Sequence, residues 1–156
     1  MMPFKVFISH STADLSLVQQ LQYWLEVNGI ETYLADLYPQ PGATLASKIS
    51  NAIEQSNCVI AVLTQNGARS QWVHQEIGYA KRAGRLVIPV AEEGVPTTGF
   101  VQGVEYIPFH RENPAEAIDR IVEYLTRLKA DKEAREKAMA GFLILLGLLA
   151  LASSKG

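Results

Sequence analysis

The sequence has few residues suited to a disulfide or a metal site. It contains one cysteine, Cys58, so no disulfide can form within the chain, and a reducing intracellular setting is expected. The three histidines, His10, His74 and His110, show no metal-ligand spacing with Cys58. We therefore expect no metal site and no internal cross-link.

The sequence also lacks an excess of positive charge. Lysine and arginine number 14 against 16 aspartate and glutamate residues, so the formal net charge is −2. No predicted helix carries a stripe of lysine or arginine. Because binding to a phosphate backbone requires clustered positive charge, nucleic acid is not expected as a partner.

Common nucleotide-binding motifs are missing as well. No G-x-G-x-x-G follows the first predicted strand and no Gly-Lys-Ser/Thr loop occurs, which argues against a dinucleotide-binding Rossmann domain and a P-loop enzyme. A phosphate-accepting receiver domain needs acidic residues at the end of that strand to hold Mg²⁺. This chain has Ser9-His10-Ser11 there, with only Asp14 further on.

The chain does contain a regular alternation of strand-like and helix-like segments. Apolar, β-branched runs predict strands at residues 4–9, 30–35, 58–63, 86–90 and 104–108. Helical periodicity predicts helices after the Ser11–Asp14 capping box, at 45–53, at 71–83 and from 114 onward, with a turn at 65–67. This alternation indicates one α/β domain with a doubly wound parallel sheet.

Trp72 and Glu76 form the most informative pair in the third long helix. Residues four apart lie on one helical face, so the indole and the carboxylate stand side by side. An indole can stack on a flat ring, and a carboxylate can stabilise a cationic sugar carbon. The pair by itself is more typical of a solvated glutamate beside a partly buried tryptophan. Lys81, Arg82 and Arg85 follow it and suit a solvated helix end, where cations are favoured, more than a contact with the phosphates of a bound nucleotide.

Several segments in a consistent order carry a family resemblance. They are residues 6–14 (VFISHSTAD), 29–33 (GIETY), Pro41-Gly42, 71–76 (QWVHQE) and Tyr106-Ile107-Pro108. From residue 4 to 128 the chain resembles the Toll/interleukin-1 receptor (TIR) domain, especially its prokaryotic branch. The resemblance implies a flavodoxin-like fold, a five-stranded parallel sheet with helices on both faces.

The resemblance implies two different functions. Many bacterial, archaeal and plant members cleave NAD⁺ at the nicotinamide–ribose bond, often in immune or anti-phage signalling, whereas other members only assemble with one another. For the enzymatic branch it implies that Glu76 is catalytic and that NAD⁺ is a substrate rather than a cofactor. The substrate-binding residues it implies are Trp72, Ser9, His10, Tyr33, Asp36 and Tyr38. Ser9 and His10 have a competing explanation as capping and loop residues.

The loop at residues 36–44 is expected to dock onto a neighbouring protomer. In similar proteins such docking completes a composite site, so activity would depend on self-assembly. Tyr38 suits either a substrate contact or a simple interface anchor.

The end of the chain differs in composition from the TIR-like part at 1–128. Residues 129–137 are highly charged and predict a helical linker, whereas residues 138–154 contain no charge. As a helix the uncharged segment would span about 25 Å, the short limit for crossing a bilayer. We expect either a membrane anchor or a self-association helix. Lys132, Arg135 and Lys137 precede the segment and place the domain on the cytoplasmic side.

Overall fold

The computed structural model describes residues 3–34, 44–96, 99 and 102–154 of the 156-residue chain. These residues form a five-stranded sheet and five α-helices. The strands are Lys5–Ser9 (β1), Glu31–Leu34 (β2), Cys58–Leu63 (β3), Leu86–Glu92 (β4) and Ile107–Phe109 (β5). The helices are Leu15–Val27 (α1), Leu45–Glu54 (α2), Gln65–Arg69 (α3), Gln71–Arg82 (α4) and Pro114–Ser154 (α5).

All strand pairs are parallel, and the strand order is β2-β1-β3-β4-β5. This order confirms the flavodoxin-like, doubly wound sheet expected from the sequence. The chain leaves β1 toward one edge strand and leaves β3 toward the other, so the order reverses between β1 and β3. Ligands of such sheets bind beyond the carboxyl ends of the strands at this point.

Side-chain alternation along the strands divides the core into two layers. Val6 and Ile8 of β1 pack with α1 and α5 on one face of the sheet. Phe7 points to the other face, where α2 and α4 cover it. Because successive residues of a strand point to opposite faces, Ser9 shares the face of Phe7. The sequence of β1 therefore directs a hydroxyl toward α4.

The predicted turn at residues 65–67 is wrong, because the chain forms the short helix α3 there. The Thr64 hydroxyl accepts a hydrogen bond from the Gly67 amide at 3.0 Å and caps the helix. The Glu92 carboxylate, from β4, accepts another from the Gln65 amide at 2.9 Å. Two amides at the helix start are thus paired, one of them by a residue distant in sequence.

Gly67 is required by a close approach between α3 and β3. A Cβ atom at this position would lie 2.0 Å from the Val62 carbonyl oxygen, so any side chain would push the helix away from the strand. We expect Gly67→Ala to lower the free energy of unfolding by about 1–3 kcal/mol, measured by urea denaturation. Gly141→Ala is the matched control, since a Cβ there meets open space within a helix. Equal midpoints for wild type and Gly67→Ala would contradict the expectation.

Helix α5 is one continuous helix of 41 residues that joins the predicted last helix, linker and apolar segment. Ile118, Ile121 and Leu125 bury its first part against the sheet. The Lys129 ammonium donates to the Gly29 carbonyl at 3.0 Å, next to the start of β2. All of residues 138–154 are exposed. Because the helix runs from the carboxyl end of β5 to Lys129 beside the amino end of β2, these residues continue beyond the amino ends of the strands. The division into 1–128, 129–137 and 138–154 remains a prediction.

Candidate functional site

Ser9 lies at the carboxyl end of β1, where the strand order reverses. It is completely buried, and its hydroxyl donates a hydrogen bond to Glu76 Oε1 at 3.0 Å. This bond joins two residues separated by 67 positions in the sequence. The serine therefore holds the carboxyl group of α4 against the end of the central strands.

Glu76 is positioned by the apolar face of α4. Val73, Ile77 and Ala80 recur at helical spacing and are buried against the sheet, which brings the intervening Glu76 inward. Ser70, the residue before the helix, caps it, because its hydroxyl accepts a hydrogen bond from the Val73 amide at 3.3 Å. Only 4% of Glu76 is exposed. The spacing of Trp72 and Glu76 alone favoured a glutamate in solvent, and the structure shows a buried one instead.

The burial of Glu76 changes its acidity. Desolvation disfavours the charged form and raises the pKa of Glu76 from 4.5 to about 8, while the hydrogen bond from Ser9 acts in the opposite direction. The second oxygen, Oε2, is buried and has no hydrogen-bond partner within the described part of the chain. A buried carboxyl oxygen without a partner is unfavourable for folding and is common at functional sites.

A cleft of about 280 Å³ between α2 and α4 gives access to Glu76. Its α2 wall is formed by Ala46, Ile49 and Ser50. Its α4 wall is formed by Trp72, Gln75, Glu76, Tyr79 and Arg82. The indole nitrogen of Trp72 is also buried without a partner among the described residues. The cleft thus combines an aromatic ring, a protonatable carboxyl group and an exposed arginine.

The other predicted site residues have different positions. His10 is buried, and its Nδ1 donates to the Ile8 carbonyl at 3.0 Å, an arrangement that fits the loop role. Tyr33 stacks on Phe7 with ring centroids 5.6 Å apart and borders a separate depression with Lys5 and Glu31. The structure therefore brings Ser9, Trp72 and Glu76 together but does not place Tyr33 in the cleft of Glu76. Asp36, Tyr38 and all of the 36–44 loop except Thr44 lie outside the described residues.

The cleft-lining roles of Gln75 and Tyr79 were not predicted from the sequence, and for Arg82 a solvated helix end was favoured over a phosphate contact. A usable signal was present, because these residues follow Trp72 at intervals of three and four and so share its helical face. Arg82 lines the cleft because α2 packs beside α4 and forms the opposite wall.

A second polar cluster lies at the same edge of the sheet, on the side of α1 and α5. The buried Asp14 accepts a hydrogen bond from the Thr64 hydroxyl, and Arg111 makes a two-pronged contact with Glu92 at 2.9 and 3.2 Å. The Asp14 side chain therefore bonds to Thr64, at the carboxyl end of β3, and does not complete the predicted capping box. Because Thr64 and Glu92 cap α3, this cluster fixes the segment that leads into α4. Among the described residues, no group of three or more His, Cys, Asp or Glu could hold a metal ion.

The fold and site define an α/β domain of flavodoxin-like topology with a buried acidic group at its switch point. The sequence profile of the TIR domain matches residues 6–122, most of the chain. This protein belongs to the TIR domain family.

Similar proteins agree with this assignment. Human Toll-like receptor 6 is 36% identical over 78 residues, covering 49% of this chain and 10% of the receptor. The TIR domain of the Toll-related receptor TRR-2 from Hydra magnipapillata has a TM-score of 0.65 at 21% identity, over 78% of this chain and 97% of that domain. BcmB, the CMP N-glycosidase of Clostridium botulinum, has a TM-score of 0.58 at 20% identity, over 75% and 97% of the two chains. At these identities the two structures show a shared fold.

Proposed function

We propose that this protein is an NAD⁺ glycohydrolase that cleaves the bond between nicotinamide and ribose. The observation that carries the proposal is the carboxyl group of Glu76. It is buried in a cleft, held through one oxygen by Ser9, and leaves its second oxygen without a partner among the described residues. Trp72 supplies a flat apolar surface in the same cleft for the nicotinamide or ribose ring.

The reaction suits a single carboxylate. Nicotinamide in NAD⁺ is a cationic leaving group, so it departs with the electron pair of the N-glycosidic bond and needs no acid to protonate it. The anomeric carbon becomes oxocarbenium-like, and the ionised Glu76 stabilises that positive charge at close range. Water then bonds to the anomeric carbon and releases a proton, which gives ADP-ribose. Attack by a nitrogen of the adenine of the same molecule would instead give a cyclic isomer.

The structural similarity to a glycosidase supports the proposal that this fold can cleave an N-glycosidic bond. BcmB is named as a CMP N-glycosidase, an enzyme that acts on an N-glycosidic bond of a nucleotide. The alternative is a TIR scaffold without catalysis, which acts through TIR–TIR contacts. The exposed aromatic residues Tyr23 and Trp24 on α1, 61% and 49% accessible, favour an assembly surface in either case. Under our proposal, assembly through TIR domains and the 36–44 loop completes the active site.

A direct assay separates the two functions. Purified protein, both dilute and bound at high density to liposomes, is incubated with NAD⁺, and free nicotinamide is measured by chromatography. We expect release that rises with surface density. If neither preparation releases nicotinamide, the scaffold function replaces the enzymatic one.

The apolar half of α5 supports a membrane-anchored form of the enzyme. Helix α5 is long and apolar enough to cross a membrane, and residues 138–154 are all exposed. They leave the domain at the edge opposite Glu76, so the cleft would face the cytoplasm rather than the lipid. Anchoring confines the domains to two dimensions, which raises their effective concentration and favours assembly. We place this activity in prokaryotic immune signalling or anti-phage defence, where clustering would deplete NAD⁺ or make a cyclic messenger.

Deleting residues 138–156 should move the protein from the membrane fraction to the soluble fraction. The deletion removes apolar surface that contacts no core residue of the domain, so the TIR part should keep its circular dichroism spectrum. Fractionation of expressing cells, followed by immunoblotting, measures the change. A deletion variant that remains in the membrane fraction would rule out this anchor, and a soluble full-length oligomer would favour the self-association helix.

A further inference from the structure

The chemical character of the cleft beside Glu76 changes from one end to the other. Trp72, Glu76 and Arg82 line it from one end to the other on the same helix. At 1.5 Å per residue, the ten steps from Trp72 to Arg82 span about 15 Å of helix axis. A ligand lying along α4 would therefore meet an aromatic ring, then a carboxyl group, then a cation.

Arg82 is the cationic side chain that lines this cleft among the described residues. It is exposed, and it makes no ion pair with a carboxylate in the described ranges. Arg85, in contrast, is engaged by the Glu54 carbonyl at 2.7 Å, and Lys81 does not line the cleft. The Glu54 carboxylate accepts the Tyr79 hydroxyl, and this hydrogen bond raises the pKa of Tyr79, whereas the charge of Arg82 acts to lower it.

We propose that Arg82 binds the 5′-phosphate of the ribose whose N-glycosidic bond is broken beside Glu76. This inference rests on the proposed function and specifies its substrate class, which is nucleotides rather than free nucleosides. Arg82 lies six positions after Glu76, about 9 Å along the helix axis. Both residues line the cleft and helical side chains point back toward the N-terminus, so the guanidinium would reach the phosphate of a sugar held beside Glu76. Arginine suits this role because its planar fork binds phosphate through two hydrogen bonds.

The volume of the cleft is consistent with a ligand that has its base and ribose beside Trp72 and Glu76 and its phosphate beside Arg82. At about 280 Å³ it lies just below the usual range of roughly 300–1,000 Å³ for small-molecule sites. A cleft of this size is closer to a mononucleotide than to an entire dinucleotide. In NAD⁺ the second phosphate and the adenosine would extend past Arg82.

Three substrates that share the scissile bond test the proposal. They are NAD⁺, nicotinamide mononucleotide, and nicotinamide riboside, which lacks a phosphate. For liposome-bound protein, Arg82→Ala should lower kcat/KM for the two phosphorylated substrates by roughly tenfold to a hundredfold, mainly through KM. The riboside should be cleaved equally by both forms, and Arg82→Lys should recover part of the loss. Lys81→Ala is the matched control and should change none of these values. A loss that is equal for the riboside, or no loss for any substrate, would overturn the assignment.

A binding measurement separates this inference from the proposed function. Glu76→Gln protein and the double variant Glu76→Gln, Arg82→Ala are titrated with nicotinamide mononucleotide and with the riboside by calorimetry. We expect only the mononucleotide to bind more weakly when Arg82 is removed, by at least about tenfold. This result would support the phosphate site even if the wild type released no nicotinamide. Equal mononucleotide affinity in the two variants would overturn the phosphate site while leaving catalysis by Glu76 intact.

Discussion

Replacing Glu76 by glutamine should reduce nicotinamide release from NAD⁺ by roughly 100- to 1,000-fold, the effect of removing one preorganised electrostatic contact from a transition state. Glutamine has the same shape and can still accept the hydrogen bond from Ser9, so the fold and the cleft should be preserved. What disappears is the negative charge beside the developing ribose cation. Chromatographic measurement of nicotinamide from assembled protein gives the comparison.

The carboxylate requirement also predicts a pH dependence. Because the pKa of Glu76 is raised to about 8, most molecules carry a protonated, inactive carboxyl group at neutral pH. The value of kcat/KM should therefore rise with pH and level off above about 8, since this parameter reports the free enzyme. Ser9→Ala removes the hydrogen bond that lowers the pKa, so its profile should be displaced to higher pH.

Glu54→Gln is the matched control for these measurements. It makes the same chemical change at an exposed glutamate that borders Tyr79 but does not line the cleft. Its activity and pH profile should resemble those of the wild type. Full activity of Glu76→Gln, or an equal loss in Glu54→Gln, would show that the carboxylate of Glu76 is not the catalytic group.

The same Glu76→Gln substitution should stabilise the folded protein at alkaline pH. A carboxyl group with a pKa of 4.5 in the unfolded chain and about 8 in the fold retains a proton that the unfolded chain has released. The wild type should therefore lose stability as pH rises from about 4.5 to about 8 and stay at the lower value above that range. At about 1.4 kcal/mol per pH unit, the loss over these roughly 3.5 units is on the order of 5 kcal/mol. Glutamine cannot ionise, so the Glu76→Gln variant does not lose this stability as the pH rises.

Urea denaturation of both proteins in one detergent, at pH 5 and pH 9, measures this difference. Near pH 5 the two free energies of unfolding should be similar, whereas at pH 9 the glutamine variant should be the more stable. Glu54→Gln should show no such divergence, because Glu54 is exposed. Parallel pH curves for wild type and Glu76→Gln would mean that the burial of Glu76 does not raise its pKa.

Opposite effects on stability and activity would together be informative. A buried carboxyl group that weakens the fold but accelerates a reaction is what a functional site requires, because such sites retain strain that folding alone would remove. A purely structural glutamate would show neither the loss of cleavage nor the gain in stability.

The sequence by itself determined the fold class and most of the elements. The apolar runs of β1, β3 and β4 and the periodicity of α1, α2 and α4 depend on residues close together in the chain, which is why local patterns predicted them. Deviations arose where a distant residue decided the outcome. Glu92 from β4 and Thr64 convert a predicted turn into α3, and β5 begins at Ile107, three residues later than predicted, because it pairs only with the end of β4.

For the site, the sequence identified Trp72 and Glu76 by their helical spacing and Ser9 by its place at a strand end. Tertiary structure alone decided that Glu76 is buried, that Ser9 bonds to it across 67 residues, and that Tyr33 faces a different depression. It also decided that Arg82 shares the cleft, because α2 forms the opposite wall. Local spacing places side chains on one helical face, whereas desolvation, the raised pKa and the shape of a cleft depend on what other elements pack against that face.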